Sequence, residues 1–349
     1  MGATKFLATQ DLPRWLSELQ QTRNVYVPIE DKASIVFAPF TEQKEPVLDR
    51  QPTAPPKEVV FPQTENLLRF QYTKRKEDPA HSDLHIESQP EAAPAVVVGC
   101  RPCGARGFDT YDRVYNSDNV CDPFYQARRE QTAFVSIACK RPENTCFCHW
   151  TGGGPADTQG SDVLLTEVEG GYVAEAITDK GTPLLQSNLL SDAGAKEEQA
   201  RAQHEQTAAA MGTPPDLTDV PDKLLGLFEN MEFWEAMSAK CIACGACTYL
   251  CPTCYCFNIT DEGAGHEGRR VRTWDTCMSF LFTLEASMHN PRPTKAHRLR
   301  NRVGHKFSYY PELHNGAIAC CGCGRCIKHC PVAVDIREIV LRAKEEANG

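Results

Sequence analysis

The chain has 349 residues and a mass of 38.8 kDa, which is enough for two domains, and its 41% of hydrophobic residues indicates a folded protein. A formal net charge of -9 argues against a generally basic nucleic-acid binder. There are 18 cysteines, yet no apolar run is long enough for a signal-peptide core or a membrane span, so we expect a protein of the reducing cytosol, whose thiols bind metal.

Local patterns predict a first region in which helices and strands alternate. Residues 11–22 have the features of a capped helix, with Pro13 in the first turn. Short apolar runs predict strands at residues 25–27, 34–37, 95–98 and 133–138. Residues 164–168 and 172–177, joined across Glu-Gly-Gly, predict a β-hairpin. We therefore expect a mixed α/β domain of the α+β class.

Two segments have the composition of connections. The proline-rich residues 51–63 are expected to form an extended surface connection. Residues 193–211 are rich in Ala, Glu and Gln and predict a solvated helix that ends at Gly212. Because no cysteine lies between Cys148 and Cys241, this stretch separates two cysteine-bearing regions. We predict a first domain at residues 1–190, a helical linker at residues 191–220, and a second domain at residues 221–349 with a helical insertion at residues 257–319.

The second region carries one cysteine motif twice. Residues 241–252 and 320–331 both have the spacing C-x2-C-x2-C-x3-C-P. In two-cluster ferredoxins, three cysteines of each copy ligate one [4Fe-4S] cluster and the fourth ligates the other cluster. This pattern predicts a ferredoxin-like module with two ligand sets, of which the first is Cys241, Cys244, Cys247 and Cys330 and the second is Cys320, Cys323, Cys326 and Cys251.

Other interpretations of these cysteines fit less well. Structural zinc sites use two separated cysteine pairs rather than three cysteines at successive x2 spacings. Cys247, Cys251 and Cys254 also have the C-x3-C-x2-C spacing of radical S-adenosylmethionine enzymes, but too little chain follows for the barrel that such enzymes need. Cys321 is out of register with the motif, and we expect it to be a buried thiol.

The segment between the two motifs is longer than the connector of a small ferredoxin. It includes a basic stretch with the charged residues Arg292, Lys295, Arg298, Arg300, Arg302 and Lys306. This stretch is a partner-docking surface, positive charge that offsets thiolate clusters, a solvated helix face or a nucleic-acid contact. Cys254, Cys256 and Cys277 have no assigned partner, and a further cluster at these residues is left open.

Four cysteines of the first domain form a weaker pattern. Cys103, Cys139, Cys146 and Cys148 are separated by predicted strands and loops, so their spacing allows ordinary thiols, a zinc site or a third cluster. The pair Cys146-Phe-Cys148 favours a shared metal site, since both thiols belong to one short loop. The glycine-rich residues 152–155 lack both a phosphate-loop lysine and a dinucleotide fingerprint.

Taken together, the motifs resemble those of a dicluster family. The family includes the iron–sulfur subunit of anaerobic sulfite reductase and the beta subunit of sulfhydrogenases, which are NAD(P)-linked nickel–iron hydrogenases. In the second domain the resemblance is carried by CIACGACTYLCPTCYCF, WDTCM, HNPRPTKAHRLRNRVGHKF and CCGCGRCIKHCPVAVDI. In the first domain it is carried by VVVGCRPCGARGFD, DPFYQARRE and NTCFCHWTGGGP. It covers residues 96–338, with one departure at Gly104, where the family often has Asp.

The resemblance implies an electron-transfer protein. It implies a third [4Fe-4S] cluster held by the first-domain set Cys103, Cys139, Cys146 and Cys148, while Cys100 and Cys121 are extra thiols. Proteins of this kind pass electrons between a flavoprotein that handles NAD(P)H and a catalytic subunit with another metal centre, and are themselves non-catalytic. The chain has no flavin or dinucleotide fingerprint, so we expect neither flavin nor nucleotide in it.

The favoured function is thus a cytoplasmic iron–sulfur electron-transfer subunit of a hydrogenase-like hetero-oligomer, with no membrane span and no nucleic-acid partner. Within this class, the alternative is a subunit of an anaerobic sulfite reductase-like or heterodisulfide reductase-linked complex. Two other classes are an enzyme whose active site is a cluster with an open coordination position, and a zinc-stabilised scaffold or nucleic-acid binder. The last would be colourless and would bind nucleic acid with a steep salt dependence.

Overall fold

The structure is a computed structural model that describes residues 4–90 and 92–346. Its strands are β1 Thr4–Ala8, β2 Asn24–Asp31, β3 Ser34–Pro39, β4 Thr64–Lys74, β5 Ser82–Glu87, β6 Ala95–Cys100, β7 Thr132–Ile137, β8 Val163–Val168, β9 Gly171–Ala176, β10 Leu190–Asp192, β11 Phe257–Ala264 and β12 Glu267–Trp274. Its α-helices are α1 Leu12–Gln20, α2 Lys57–Val60, α3 Pro102–Arg106, α4 Phe108–Tyr115, α5 Pro123–Gln131, α6 Lys196–Ala209, α7 Val220–Gly226, α8 Met231–Ser238, α9 Ala246–Tyr249, α10 Lys295–Gly304, α11 Tyr310–Leu313, α12 Arg325–Lys328 and α13 Ile336–Glu346. Among the described residues, no helix is long and apolar enough to cross a membrane.

The first half of the chain builds an eight-stranded mixed sheet in the order β10-β1-β9-β8-β7-β6-β2-β3. The pairs β2–β6, β6–β7 and β7–β8 are parallel, and the other neighbouring pairs are antiparallel. The all-apolar run of β6 is explained by burial on both faces. Val96 and Val98 pack in one core with Leu16 of α1, while Val97 packs on the opposite face with Phe108 and Tyr111.

Several elements predicted from local patterns are confirmed. The helix predicted at residues 11–22 is α1, and the hairpin predicted at residues 164–177 is the antiparallel β8–β9 pair. The predicted solvated helix is α6, which buries only Ala200 and Thr207. The α+β class is confirmed, with a mixed sheet in the first half and mainly helical packing around the cysteine motifs.

Helices α7, α8, α10 and α13 share a second core in the C-terminal part of the chain. Trp234 of α8 is fully buried there with Leu299 of α10 and Val340 of α13. The Asn230 side chain caps α8 by accepting a hydrogen bond from the backbone N–H of Phe233, at 3.1 Å. This framework fixes the two cysteine loops relative to each other.

A four-stranded antiparallel sheet, in the order β11-β12-β4-β5, joins the two halves of the chain. The β11–β12 hairpin opens the insertion, and β12 pairs with β4 from the first half. Arg272 donates from Nε to Glu65 Oε2 at 2.9 Å, and both side chains are almost completely buried. Arg128 also bonds Glu65, and Asp122 also bonds Arg272. The insertion therefore contains a hairpin that local patterns did not predict, in addition to its helices.

Residues 51–63 are not the extended surface connection that their prolines suggested. They include α2, and Lys57, Val60 and Phe61 are at most 3% exposed. The Gln51 side-chain amide donates to the carbonyl of Cys323 at 3.0 Å. The expectation was wrong because prolines limit regular structure but do not determine exposure, and this segment packs between the two halves of the chain.

Candidate metal centre

The first cysteine motif forms a tight loop ahead of α9. Ala243 and Gly245 have φ values of +56° and +78°, and the backbone N–H of Ala243 points at Cys241 Sγ from 3.4 Å. A cavity beside the loop is lined by Cys241, Cys244, Cys247, Cys326 and Cys330 and by apolar side chains including Met278, Leu299, Val334 and Ile339. The structure thus brings Cys330 of the second motif to the three loop cysteines of the first, as the predicted ligand exchange requires.

The second motif repeats this backbone conformation. Gly322 and Gly324 have φ values of +60° and +75°, and the N–H of Gly322 points at Cys320 Sγ from 3.4 Å. Cys251 of the first motif is 6% exposed and lies beside the second loop, where it interacts electrostatically with the three loop thiols Cys320, Cys323 and Cys326. Each motif therefore presents its fourth cysteine to the loop of the other copy.

Two cations from the basic stretch lie among these thiols. Lys306 Nζ is 3.5 Å from Cys251 Sγ, and Arg302 Nη1 is 3.6 Å from Cys254 Sγ. Both side chains are 3% exposed, and among the described residues no carboxylate pairs with either. Burial opposes the charge of Lys306, but the neighbouring Cys251 and Cys254 raise the pKa of Lys306 well above its usual value. A buried cation without a carboxylate requires another anion, and thiolate clusters supply it.

The geometry decides between the interpretations of the basic stretch. Arg298 and Arg300 are 8% exposed, so a solvated helix face is wrong for the centre of this stretch. Arg298 donates to the carbonyl of Met278, and Arg300 donates to the carbonyl of Phe228 while stacking on its ring at 3.7 Å. Offsetting positive charge is the interpretation that fits Arg302 and Lys306.

The first-domain cysteines lie at the edge of the large sheet. Cys103 follows β6 and Cys139 follows β7, and because these strands are parallel, both cysteines lie at the same edge. Cys139 and Cys148 are close enough to Cys103 to contribute, after burial, to raising the pKa of its thiol, and Cys146 acts on Cys148 in the same way. The structure therefore brings all four predicted first-domain cysteines into one region.

The first-domain thiols adjoin the second cysteine loop. The N–H of Phe147, between Cys146 and Cys148, donates to the carbonyl of Gly322 at 2.8 Å. Cys103, Cys321 and Cys323 form one buried group, so Cys321 is buried as predicted. By contrast, the Cys100 thiol is within hydrogen-bond distance of the Ser136 hydroxyl inside the sheet, and Cys121 is exposed.

Arg325 marks the same region with an unsatisfied charge. Its side chain is 0% exposed, and Nε donates to the carbonyl of Pro52 at 2.9 Å. Nη1 and Nη2 are buried with no hydrogen-bond partner, while Cys323 and Cys103 are the neighbouring groups that raise the pKa of Arg325 against the effect of burial. Unpaired guanidinium donors beside a set of thiols fit an anionic cluster held by those thiols.

The donor set suits clusters better than single ions. Within residues 4–90 and 92–346, no three His, Cys, Asp or Glu side chains are arranged to hold one metal ion. A zinc ion needs its donors at roughly 2.0–2.3 Å from one point, whereas a cubane takes one thiolate on each iron. The three closely spaced thiols of each motif loop, with backbone N–H groups aimed at Cys241 and Cys320, fit a cluster.

Comparison with known proteins agrees with this geometry. A family model described as a 4Fe-4S dicluster domain matches residues 240–334. The chain is similar to this domain over the matched residues. It is also 28% identical over 344 residues to sulfhydrogenase 2 subunit beta of Pyrococcus furiosus, an alignment that spans 97% of this chain and 98% of the relative. The resemblance stated from the motifs is confirmed, and no solved structure matches the chain.

Sequence reasoning missed three residues around the dicluster domain. Gln51 and Lys57 lie in the proline-rich segment, far in sequence from the cysteines that they approach, and no local pattern pointed to them. Arg325 is different, because it lies inside the second motif between Cys323 and Cys326. A charged residue within a tight ligand loop was a signal for a buried counter-charge.

Proposed function

We propose that the chain is a non-catalytic iron–sulfur electron-transfer subunit of a hydrogenase-like complex. Iron–sulfur clusters supply one-electron transfer at potentials tuned by charge and burial. We assign the two loop sets as the ligands of two [4Fe-4S] clusters, which are Cys241, Cys244, Cys247 and Cys330 for the first and Cys320, Cys323, Cys326 and Cys251 for the second. We assign Cys103, Cys139, Cys146 and Cys148 to a third.

The continuity of the three thiol groups carries this proposal. The second loop is in the middle, since Cys326 lines the cavity of the first loop while Cys323 is buried against Cys103. Clusters held at these positions form an uninterrupted series through one chain. A series of adjacent redox centres serves to conduct electrons rather than to hold a substrate.

The first loop brings one end of the series to the surface. Cys244 is exposed, and the neighbouring Ile242 is 62% exposed, although it is a large apolar residue. Exposed apolar residues beside a redox centre are suited to a docked partner. We place one electron-exchanging partner at this loop.

The similar protein from Pyrococcus furiosus is named as a beta subunit of a sulfhydrogenase. By this similarity we propose a hetero-oligomer in the cytoplasm. Its other members are a catalytic metal subunit and a flavin- and NAD(P)-binding diaphorase subunit, between which this chain conducts electrons.

Metal analysis of the anaerobically purified chain tests the cluster assignment. We expect at least about twelve irons per chain with matching acid-labile sulfide, as three cubanes require. About eight irons would remove the first-domain cluster from the proposal. Zinc without sulfide would overturn the whole assignment.

Native isolation of the tagged chain from its own organism tests the subunit role. We expect a stable complex with a flavoprotein and a second metalloprotein, and clusters that become reduced when NAD(P)H is added to the complex. If the isolated chain alone completed a substrate reaction, the electron-transfer role would be lost.

A further inference from the structure

Three cysteines outside the motif spacing meet at the base of the β11–β12 hairpin. Phe257 pairs with Trp274 at the end of this ladder, and the next N–H, of Asp275, donates to the carbonyl of Cys256 at 2.9 Å. Continued beyond Asp275, this register places Cys277 opposite Cys254 and on the same face of the ladder as Cys256. Cys277 is 8% exposed and belongs to the second core, and Cys256 packs against the same core.

Cys254 completes the group and is held firmly in place. Its carbonyl accepts hydrogen bonds from the Tyr111 hydroxyl at 2.6 Å and from Lys57 Nζ at 3.2 Å. Arg302 approaches the Cys254 thiol, and Cys254 in turn interacts electrostatically with Cys277. The three thiols thus belong to one site formed by a hairpin, a loop and a helix.

Lys57 brings a buried side-chain amine to this site. It comes from α2 in the first half of the chain, is 3% exposed, and stacks on the Trp274 ring at 4.0 Å. Its hydrogen bonds go only to the carbonyls of Thr248 and Cys254, and among the described residues no carboxylate pairs with it. Carbonyl groups do not neutralise a buried ammonium group, so an anion close to Lys57 would stabilise its charge.

We propose that Cys254, Cys256 and Cys277 hold a further iron–sulfur cluster, whose negative charge is balanced by Lys57 and Arg302. Three thiolates bind three irons of a cubane, and the fourth iron takes a ligand other than these cysteines. Since Cys254 adjoins Cys251, this cluster lies next to the one assigned to the second loop. The proposal rests on the proposed function and adds a member to its series.

The test compares Cys256→Ser and Cys277→Ser with Cys121→Ser in the full-length, anaerobically purified chain. Cys121 is an exposed thiol whose partner is the Gln126 side chain, which makes it a matched control. We expect each of the first two variants to lose about four irons and four sulfides relative to the control. Unchanged iron in both variants, or a Cys256–Cys277 disulfide in the iron-loaded chain by mass spectrometry, would overturn the proposal.

Lys57→Met provides a second readout if the serine variants lose all their iron. We expect Lys57→Met to retain iron but to lower the midpoint potential of one cluster. The reduced cluster carries more negative charge than the oxidised one, so removing the nearby cation destabilises the reduced form more. Lys57→Arg should restore the potential, and an unchanged potential in Lys57→Met would contradict the proposal. Sulfide in the wild type that is independent of Cys256 and Cys277 would refute only this site, whereas a wild type without sulfide would refute the proposed function as well.

Discussion

Lys306 Nζ lies 3.5 Å from Cys251 Sγ and uses its other two N–H groups on Thr253 Oγ1 and the carbonyl of Ala319, both at 2.8 Å. All three donors of the ammonium group are therefore satisfied. This geometry fixes a full positive charge against the cysteine assigned as the fourth ligand of the second cluster. A cation held in this way stabilises the reduced form of a cluster.

Lys306→Met should therefore lower the midpoint potential of the second cluster. Loss of an interaction equivalent to a tenfold change in the equilibrium corresponds to about 60 mV for a one-electron couple. An EPR-monitored redox titration of the anaerobic chain measures this shift. Lys328→Met is the control, because Lys328 is exposed and pairs with Glu143, so its charge is screened by solvent. Equal shifts in both variants would exclude a specific role for Lys306.

The exchange of fourth ligands predicts crossed effects of two substitutions. Cys330→Ser should remove the EPR signal that Cys244→Ser removes, because Cys330 and Cys244 line the same cavity. Cys251→Ser should instead remove the signal lost in Cys323→Ser. Each single variant is expected to lose about four irons. If Cys330→Ser affected the same signal as Cys323→Ser, the exchange would be wrong.

Gly324 joins the second loop to the first-domain thiols. A Cβ atom there would lie 2.4 Å from the carbonyl oxygen of Thr145, and the φ of +75° already disfavours a side chain. Gly324→Ala should lower the thermal midpoint and release iron from both neighbouring sites. Gly316→Ala has a similar φ of +81° but open space around it, so it should cost only about 1–2 kcal/mol. Calorimetry and iron analysis of the two variants separate the clash from the backbone strain.

Glu65 is expected to contribute strongly to stability. Glu65→Ala leaves Arg272 buried with one of its two carboxylate partners, at a cost of about 3–5 kcal/mol in the free energy of unfolding. Glu262→Ala breaks an exposed pair with Arg269 in the same sheet and should cost less than about 1 kcal/mol. Anaerobic thermal unfolding followed by circular dichroism compares the two. Similar losses would show that the buried network is not special.

The exposed Ile242 side chain provides a test of partner docking. Ile242→Lys should slow electron exchange with the partner complex about tenfold, as loss of a central apolar contact does, without changing the iron content. Leu313→Lys is the control, since Leu313 is 78% exposed but lies on α11 and does not line the cavity beside the first loop. Stopped-flow reduction of the clusters gives both rates. A slower rate only in Leu313→Lys would show that the partner docks near Leu313 rather than at the first loop.

The features predicted from sequence are those that depend on local order. The two motifs predicted their own loops, because the positions of glycine and cysteine in a short segment determine how its backbone can turn. Cys330 and Cys251 were assigned to opposite loops from the repeat alone; Cys330 lines the cavity of the first loop and Cys251 interacts with Cys320 of the second, while their roles as ligands stay a prediction. The β8–β9 hairpin was predicted because its turn and apolar runs are contiguous.

The features that were not predicted depend on distant contacts. The pairing of Val271 with Asn66 brings together strands from opposite halves of the chain, and neither strand contains a signal for the other. Nothing in the sequence around Lys57 or Lys306 distinguishes them from exposed surface lysines. Both are buried beside cysteines that only the assembled fold brings close to them.

The pairing of Glu65 with Arg272 determines an order of events during synthesis of the protein. The two residues are 207 positions apart, so a ribosome adding about 5–20 residues per second leaves Glu65 without this partner for roughly 10–40 s. During that interval the β4 edge that later receives β12 is open to other chains. Lys57 lies in the same early segment, and Cys254, whose carbonyl it contacts, is synthesised 197 residues later. If a cluster is held near Lys57 as proposed, its iron can be loaded only after the C-terminal half has been translated.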